Sequence, residues 1–296
     1  MFHGTMTALV TPFANGKIDE DAFRAHLDRQ IAAGVDAVVP AGTTGEAATL
    51  SHAEQERLIR ITVEHVAGRV PVIAGAGSNS TAESIALTQA AKDTGADAAL
   101  LISPYYNKPS QEGIYQHYRA VAEAVHIPII IYNVPGRTAS NMLPETVGRL
   151  SHIVNIIGIK DATADMAQLG HTMNACEGRI EFYSGDDATV MPFMAAGGAG
   201  VISVVSNVVP REMVALTTAM LNGELEAARS QHLRLLPLSD VMFIRSNPIP
   251  VKAACAMMGW MGGELRLPLT PLDATECSHL HAKLVTFGLT PERNRP

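Results

Sequence analysis

What most restricts this chain is a repeat of short aliphatic runs: MTALVTPF, AVVPAG, VPVIAGAG, AALLISP, PIIIYNVP, NIIGIKDA, IEFYSGDD and GVISVVSN. Most of them lack polar alternation, so the strands they form must be covered on both faces, as in a parallel sheet flanked by helices. The stretches between them carry helical periodicity and their own start signals. Ser51 with Glu54 and Ser80 with Glu83 give the S-x-x-E pattern of a capping box, and Gly95 supplies a stop. Eight consecutive strand-helix units are the count of a (β/α)8 barrel. An open doubly wound sheet needs no eighth unit and carries a fuller glycine fingerprint. The stretch GAGSNS at 75–80 lacks the third glycine of GxGxxG, which argues against a dinucleotide site.

After Gly223 the strand signal stops. ELEAARSQHLRLLPLSDVMF, NPIPVKAACAMMGW and TPLDATECSHLHAKLVTFG read as helices, separated by Pro248, Pro250 and the LRLPLTP stretch. The expected architecture is therefore α/β, a TIM barrel over residues 1–224 followed by a small helical domain over 225–296. The most apolar window, MPFMAAGGAGVISVVSNVV, is broken by Gly197, Gly198, Gly200, Ser203 and Asn207, and reads as a helix end plus a buried strand, with no membrane partner expected. With 22 Lys+Arg against 29 Asp+Glu the formal net charge is −7, and no basic run offers a nucleic-acid surface. Cys176, Cys255 and Cys277 are widely spaced and lack a CxxC pattern, so neither a disulfide framework nor a zinc site is expected. The N-terminal MFHGTMTALVTPF has no basic leader before its apolar part, and together these features place the chain in the cytoplasm.

In a barrel the residues that do chemistry sit at the C-terminal ends of the strands. There the sequence places Thr43, Thr44 and Glu46 in AGTTGEAAT, Tyr105 and Tyr106 in SPYYNKP, and Tyr132 and Arg137 in YNVPGRT. Lys160 in GIKDAT, the SGDD strand end and Ile202 with Ser203 in the eighth run complete the set. Taken singly, each has an ordinary reading. GTTG makes a tight turn, the tyrosines pack, Arg137 is a solvated loop charge, and Asp186 with Asp187 resembles a helix N-cap pair. Lys160 alone reads as a long side chain snorkelling from an apolar strand. Convergence on one face favours a different reading, in which a desolvated lysine amine attacks a ketone and loses water to form a Schiff base. Tyrosine and threonine hydroxyls could then relay protons, while GTTG backbone N–H groups and Arg137 could hold small carboxylates. Lys17, Lys92, Lys108 and Lys283 fall in loop or polar helix contexts, and Lys252 is expected in the C-terminal helices, away from the mouth. A metal-dependent site would need clustered His and carboxylate ligands; the histidines fall mainly in helices, so no metal is expected. A hydrolase using Glu46 and Asp186 would leave Lys160 unexplained.

The motifs GTTGE, SPYYNKPSQEG, YNVPGRT, GIKDAT, SGDD and NPIPVK resemble, in order and spacing, the dihydrodipicolinate synthase family of pyruvate-dependent Schiff-base lyases, over essentially the whole chain. The resemblance implies that Lys160 forms an imine with pyruvate, without cofactor, and that Tyr132, Thr43 and Tyr106 move protons, Tyr106 within the neighbouring subunit's site. It further implies that Thr44 and the Ile202 backbone bind pyruvate, that Gly185 lines the pocket, and that Arg137 takes the carboxylate of aspartate semialdehyde. The product would be 4-hydroxy-tetrahydrodipicolinate, on the route to diaminopimelate and lysine. Arg137 with Tyr105 and Tyr106 looks less like N-acetylneuraminate lyase, the alternative within the same class. A non-catalytic small-acid binding protein on the same scaffold is a further alternative, against which Lys160, Tyr132 and Thr43 argue. Ala48, His52, Asn79, Glu83 and Tyr105 match a regulatory cleft for L-lysine, with Gln55 where some members carry His. Ala139 stands where Gly is common, and a homotetramer built as a dimer of dimers is implied.

Overall fold

The computed structural model describes residues 2–291. Its centre is a ring of eight parallel strands: β1 Gly4–Ala8, β2 Ala37–Val39, β3 Ile73–Gly75, β4 Ala98–Ile102, β5 Ile129–Asn133, β6 Ile156–Asp161, β7 Glu181–Ser184 and β8 Gly200–Ser203. Seven of them fall within the aliphatic runs, and β1 overlaps the first run but begins two residues before it, at Gly4. Neighbours follow the chain from β3 round to β8, β8 pairs β1, β1 pairs β2, and a parallel bridge between Val38 and Val72 closes the circle. The closed ring leaves no sheet edge exposed.

Helices α1 Glu20–Ala32, α2 His52–Val66, α3 Thr81–Asp93, α4 Gln111–Ala124, α5 Pro144–Leu150, α6 Met166–Cys176, α7 Val190–Ala195 and α8 Pro210–Leu221 form the outer layer. Ser51 and Glu54 close a reciprocal capping box at the start of α2. At α3 only half of that device forms: Ser80 Oγ accepts the Glu83 N–H at 3.4 Å, while the Glu83 carboxylate is drawn away to Ser78 and His52. Strand residues divide between two environments. Met6, Ala8, Val39, Ile130, Tyr132, Tyr183 and Ile202 pack inside the ring, whereas Val38, Leu101, Ile129, Ile131 and Ile159 pack outward with Leu27, Leu58, Val121 and Leu169 of the helices. The period-2 pleat accounts for this division.

Three further helices follow, α9 Leu225–Val241, α10 Ile249–Met257 and α11 Ala274–Phe287. They share one apolar cluster with the barrel: Leu235, Leu238, Val251 and Leu280 pack with Val10, Val190, Val201 and Leu216. A short hairpin that the sequence reading did not anticipate, Phe13–Ala14 against Lys17–Ile18, follows β1. Lys252 lies in the C-terminal helix α10, as expected, but reaches back to the barrel. Its side chain is fully buried and bonded to Glu46, in the turn after β2. Amphipathic periodicity shows that α10 has a buried face but not what lies against it.

Candidate active site

Lys160 owes its place to an irregularity in β6. Ile129 of β5 pairs with Ile156, but Ile130 pairs with Gly158, so Ile157 is an extra residue between two registered positions. The outward phase of Ile156 would also send residue 160 outward in a regular pleat. The extra residue inverts the phase, so that Ile159 faces the helices and Lys160 turns inward beside Tyr132, its cross-strand partner. Gly158 is required by the same geometry, since a Cβ there would meet the Tyr183 ring at 2.8 Å. The Lys160 side chain is 5% exposed, with Nζ 4.4 Å from the centroid of the Tyr132 ring.

Burial sets the chemistry of both groups. Desolvation lowers the Lys160 amine to about 8; the Asp187 carboxylate opposes this fall and the Arg137 guanidinium adds to it. The Tyr132 hydroxyl is pushed up to about 12 by burial, against the pull of Arg137 and of the nearby Thr43 hydroxyl. Asp187 does not cap its own short helix, as the sequence had suggested. Its Oδ1 takes the Ser203 hydroxyl at 2.5 Å and its Oδ2 accepts the N–H groups of Val204 and Val205 at 2.9 and 3.2 Å. It therefore fixes the turn after β8 while placing a negative charge near Lys160. Gly185 allows the close approach of β7, because a Cβ there would stand 3.0 Å from Lys160 Cε and 2.8 Å from Ala162 Cβ.

A cavity of about 350 Å³ brings together Thr43, Thr44, Tyr132, Arg137, Lys160 and Gly185. Ile202 is buried in the ring interior and Val204 forms the wall at that strand end. Tyr106 stands apart, 89% exposed at a backbone φ of +71° that costs a side-chain-bearing residue strain. The sequence reading missed Asn247, which lines the same cavity. Its Nδ2 donates to Thr44 Oγ1 at 3.0 Å and its carbonyl accepts from Arg137 Nη2 at 3.0 Å. The motif NPIPVK was legible, but nothing in it says that the C-terminal region reaches over the barrel. Among the described residues, no group of three or more His, Cys, Asp or Glu could hold a metal ion.

A second cavity, of about 420 Å³, adjoins the first and shares Gly42, Thr43, Tyr132, Arg137 and Asn247 with it. Its far wall carries Ala48, His52, Glu83 and Tyr105, four of the five expected regulatory residues. His52 Nε2 lies 2.8 Å from Glu83 Oε1. Asn79, the fifth, donates from Nδ2 to the Tyr105 carbonyl at 3.1 Å and so braces the loop that carries it. Gln55, whose Nε2 donates to the Gly75 carbonyl at 2.8 Å, also lines this cavity.

Relatives of known activity match the chain along its length. The 4-hydroxy-tetrahydrodipicolinate synthases of Geobacter sp. (strain M21) and Citrifermentans bemidjiense are 54% and 53% identical over 289 residues, covering 98% of this chain and 100% of theirs. The crystal structure of dihydrodipicolinate synthase from Aquifex aeolicus superposes with a TM-score of 0.97 at 43% identity, covering 99% of this chain and 100% of that one. The Acinetobacter baumannii enzyme, solved in complex with pyruvate, gives a TM-score of 0.96 at 43% identity and covers 98% of this chain and 100% of that one. The Cyanidioschyzon merolae enzyme, solved with lysine bound, gives 0.95 at 40%, covering 98% and 99%. The family model for dihydrodipicolinate synthetases matches residues 1–286, and the chain belongs to that family.

Proposed function

We propose that Lys160 is the nucleophile through which this enzyme acts, with Tyr132 and Thr43 moving the protons. The chain is a lyase that condenses pyruvate with L-aspartate 4-semialdehyde to give 4-hydroxy-tetrahydrodipicolinate in lysine biosynthesis. The observation that carries the residue assignment is the inward, buried Lys160, whose amine is lowered by burial to about 8 and stands 4.4 Å from the centre of the Tyr132 ring.

The neutral amine adds to the pyruvate ketone, and the resulting carbinolamine loses water to form the imine. Loss of a proton from the pyruvate methyl gives an enamine whose carbon attacks the aldehyde of the second substrate. The substrate's own amino group then displaces Lys160 from the imine, closing the ring and freeing the lysine, so that one water is released overall. Each stage needs a proton delivered or removed within the cavity, and Tyr132 with the neighbouring Thr43 is suited to that role. Thr44 and the main chain around Ile202 are suited to the pyruvate carboxylate, and Gly185 supplies the room. Arg137, held by the Asn247 carbonyl, is suited to the carboxylate of the aldehyde substrate.

Tyr106 points into solvent on the single chain, which supports its completing the site of a second subunit in a homotetramer made of two tight dimers. The adjoining cavity, with His52 and Glu83 paired, supports inhibition by L-lysine. A cytoplasmic location agrees with three free cysteines, two of them buried. The decisive experiment is borohydride reduction with pyruvate followed by intact-mass measurement of native protein and Lys160→Ala. A reduced adduct that maps to residue 160 and is missing from the variant is expected; an adduct that persists in the variant removes Lys160 from its role.

A further inference from the structure

A second buried lysine lies near the mouth, outside the chemistry described above. Lys252, in α10, and Glu46, which ends the GTTGE turn after β2, are both fully shielded from water, with Lys252 Nζ 2.5 Å from Glu46 Oε1. Withdrawing two charges from water is costly, and a well-packed apolar pair of similar volume often serves stability equally well. Stability alone is therefore a weak reason for this pair.

Its surroundings are fully satisfied. Lys252 Nζ also donates to the Glu264 carbonyl at 2.6 Å and lies 4.3 Å from the centroid of the Phe13 ring. The other Glu46 oxygen accepts the Arg266 N–H at 3.2 Å. A complete buried polar network specifies one geometry, and here it specifies the turn that carries Thr43 and Thr44. The Glu46 N–H donates to the Thr43 carbonyl at 3.1 Å, and the Ala47 and Gly45 N–H groups close on the Gly42 carbonyl at 3.3 and 3.0 Å. Glu46 itself is held at φ +57°, in the left-handed region that side-chain-bearing residues avoid without support. Asn247, two residues before the start of α10, holds Thr44 from the other side. One C-terminal segment thus tethers the turn at two points, Asn247 and Lys252.

We infer that the Glu46–Lys252 pair is a positioning device for the reaction, holding the GTTGE turn so that the Thr43 hydroxyl stays beside Tyr132 in the cavity they share. The inference rests on the imine reading given above. Two variants test it: Glu46→Gln, and the double variant Glu46→Met with Lys252→Met, which leaves no charge unpaired and carries the test should the first not fold. Exhaustive borohydride reduction with pyruvate counts the competent sites in each preparation, and turnover is then expressed per trapped site. A misplaced proton relay is expected to lower kcat per trapped site by about tenfold or more, while KM for pyruvate stays within about threefold and the solvent deuterium effect on kcat grows. A purely structural pair would reduce only the number of competent sites. Native kcat per trapped site in either folded variant overturns the inference. A native protein that forms no adduct overturns the Lys160 reading and this inference with it, so the two failures are distinct.

Discussion

The amine of Lys160 makes a quantitative prediction about pH. A lysine lowered from 10.5 to about 8 loses about 3 kcal/mol of preference for its charged form, at ~1.4 kcal/mol per pH unit. At pH 7 about one amine in ten is then neutral, against roughly one in three thousand for a free lysine, a gain of about 300-fold in nucleophile. The quantity that reports it is kcat/KM for pyruvate at saturating aspartate semialdehyde, because that ratio follows the ionisation of the free enzyme. It should rise about tenfold between pH 6 and 7, bend near 8 and level above it. Asp187→Asn supplies the control of sign. The amide can still accept from Val204 and Val205 and reach Ser203, but the negative charge that raises Lys160 is gone, so the bend should move to lower pH. A native bend at or above 10, or an alkaline displacement in the Asp187 variant, would refute the argument that burial and local charge tune this amine.

Other outcomes follow from the same geometry. Gly185→Ala puts a methyl 3.0 Å from Lys160 Cε, and the overpacking should cost about 1–3 kcal/mol in unfolding free energy and slow formation of the pyruvate adduct. Arg137→Ala should damage condensation far more than pyruvate-adduct formation; equal loss in both assays would remove its assigned role. Lys160→Met should stabilise the fold at pH 7 by up to about 3 kcal/mol, measured by denaturant unfolding. Since the folded amine lies below the unfolded one, the native protein regains that difference as pH rises from about 8 to 10.5, and a pH-independent gain would contradict the linkage. Millimolar L-lysine should lower initial rates of the native enzyme and not those of Glu83→Ala; unchanged native rates would reject the regulatory reading of the second cavity.

The barrel was legible because most strands lie in apolar runs and several helices, among them α2, α3, α4 and α6, begin on a Ser or Asp cap. Ser51 with Glu54 behaved as written, whereas Glu83 was recruited by Ser78 and His52, partners that only the fold brings near. The cavity's lining was legible where a residue lies at a strand end, as with Tyr132 and Lys160, or in the turn that follows, as with Thr43. It was not legible where a residue arrives from far along the chain. Asn247 reaches Thr44 across 203 positions and Lys252 reaches Glu46 across 206, and local pattern carries no information about such pairings. Asp187 was misread for a related reason: its neighbours in sequence suggested a cap, while its partners belong to the turn after β8.

The extra residue in β6 has a consequence for how this chain tolerates change in length. Side chains along β6 can be exchanged for others of similar bulk without altering where Lys160 points, because its direction depends on how many residues precede it in the strand. Removing Ile157, or adding one residue anywhere between Ile156 and Ile159, would keep every functional group in the sequence yet turn Lys160 toward the helices. The direction of Lys160 is therefore set by count. In this strand a one-residue deletion is a more complete inactivation than most substitutions, and a compensating insertion two positions away would restore the lysine to the cavity.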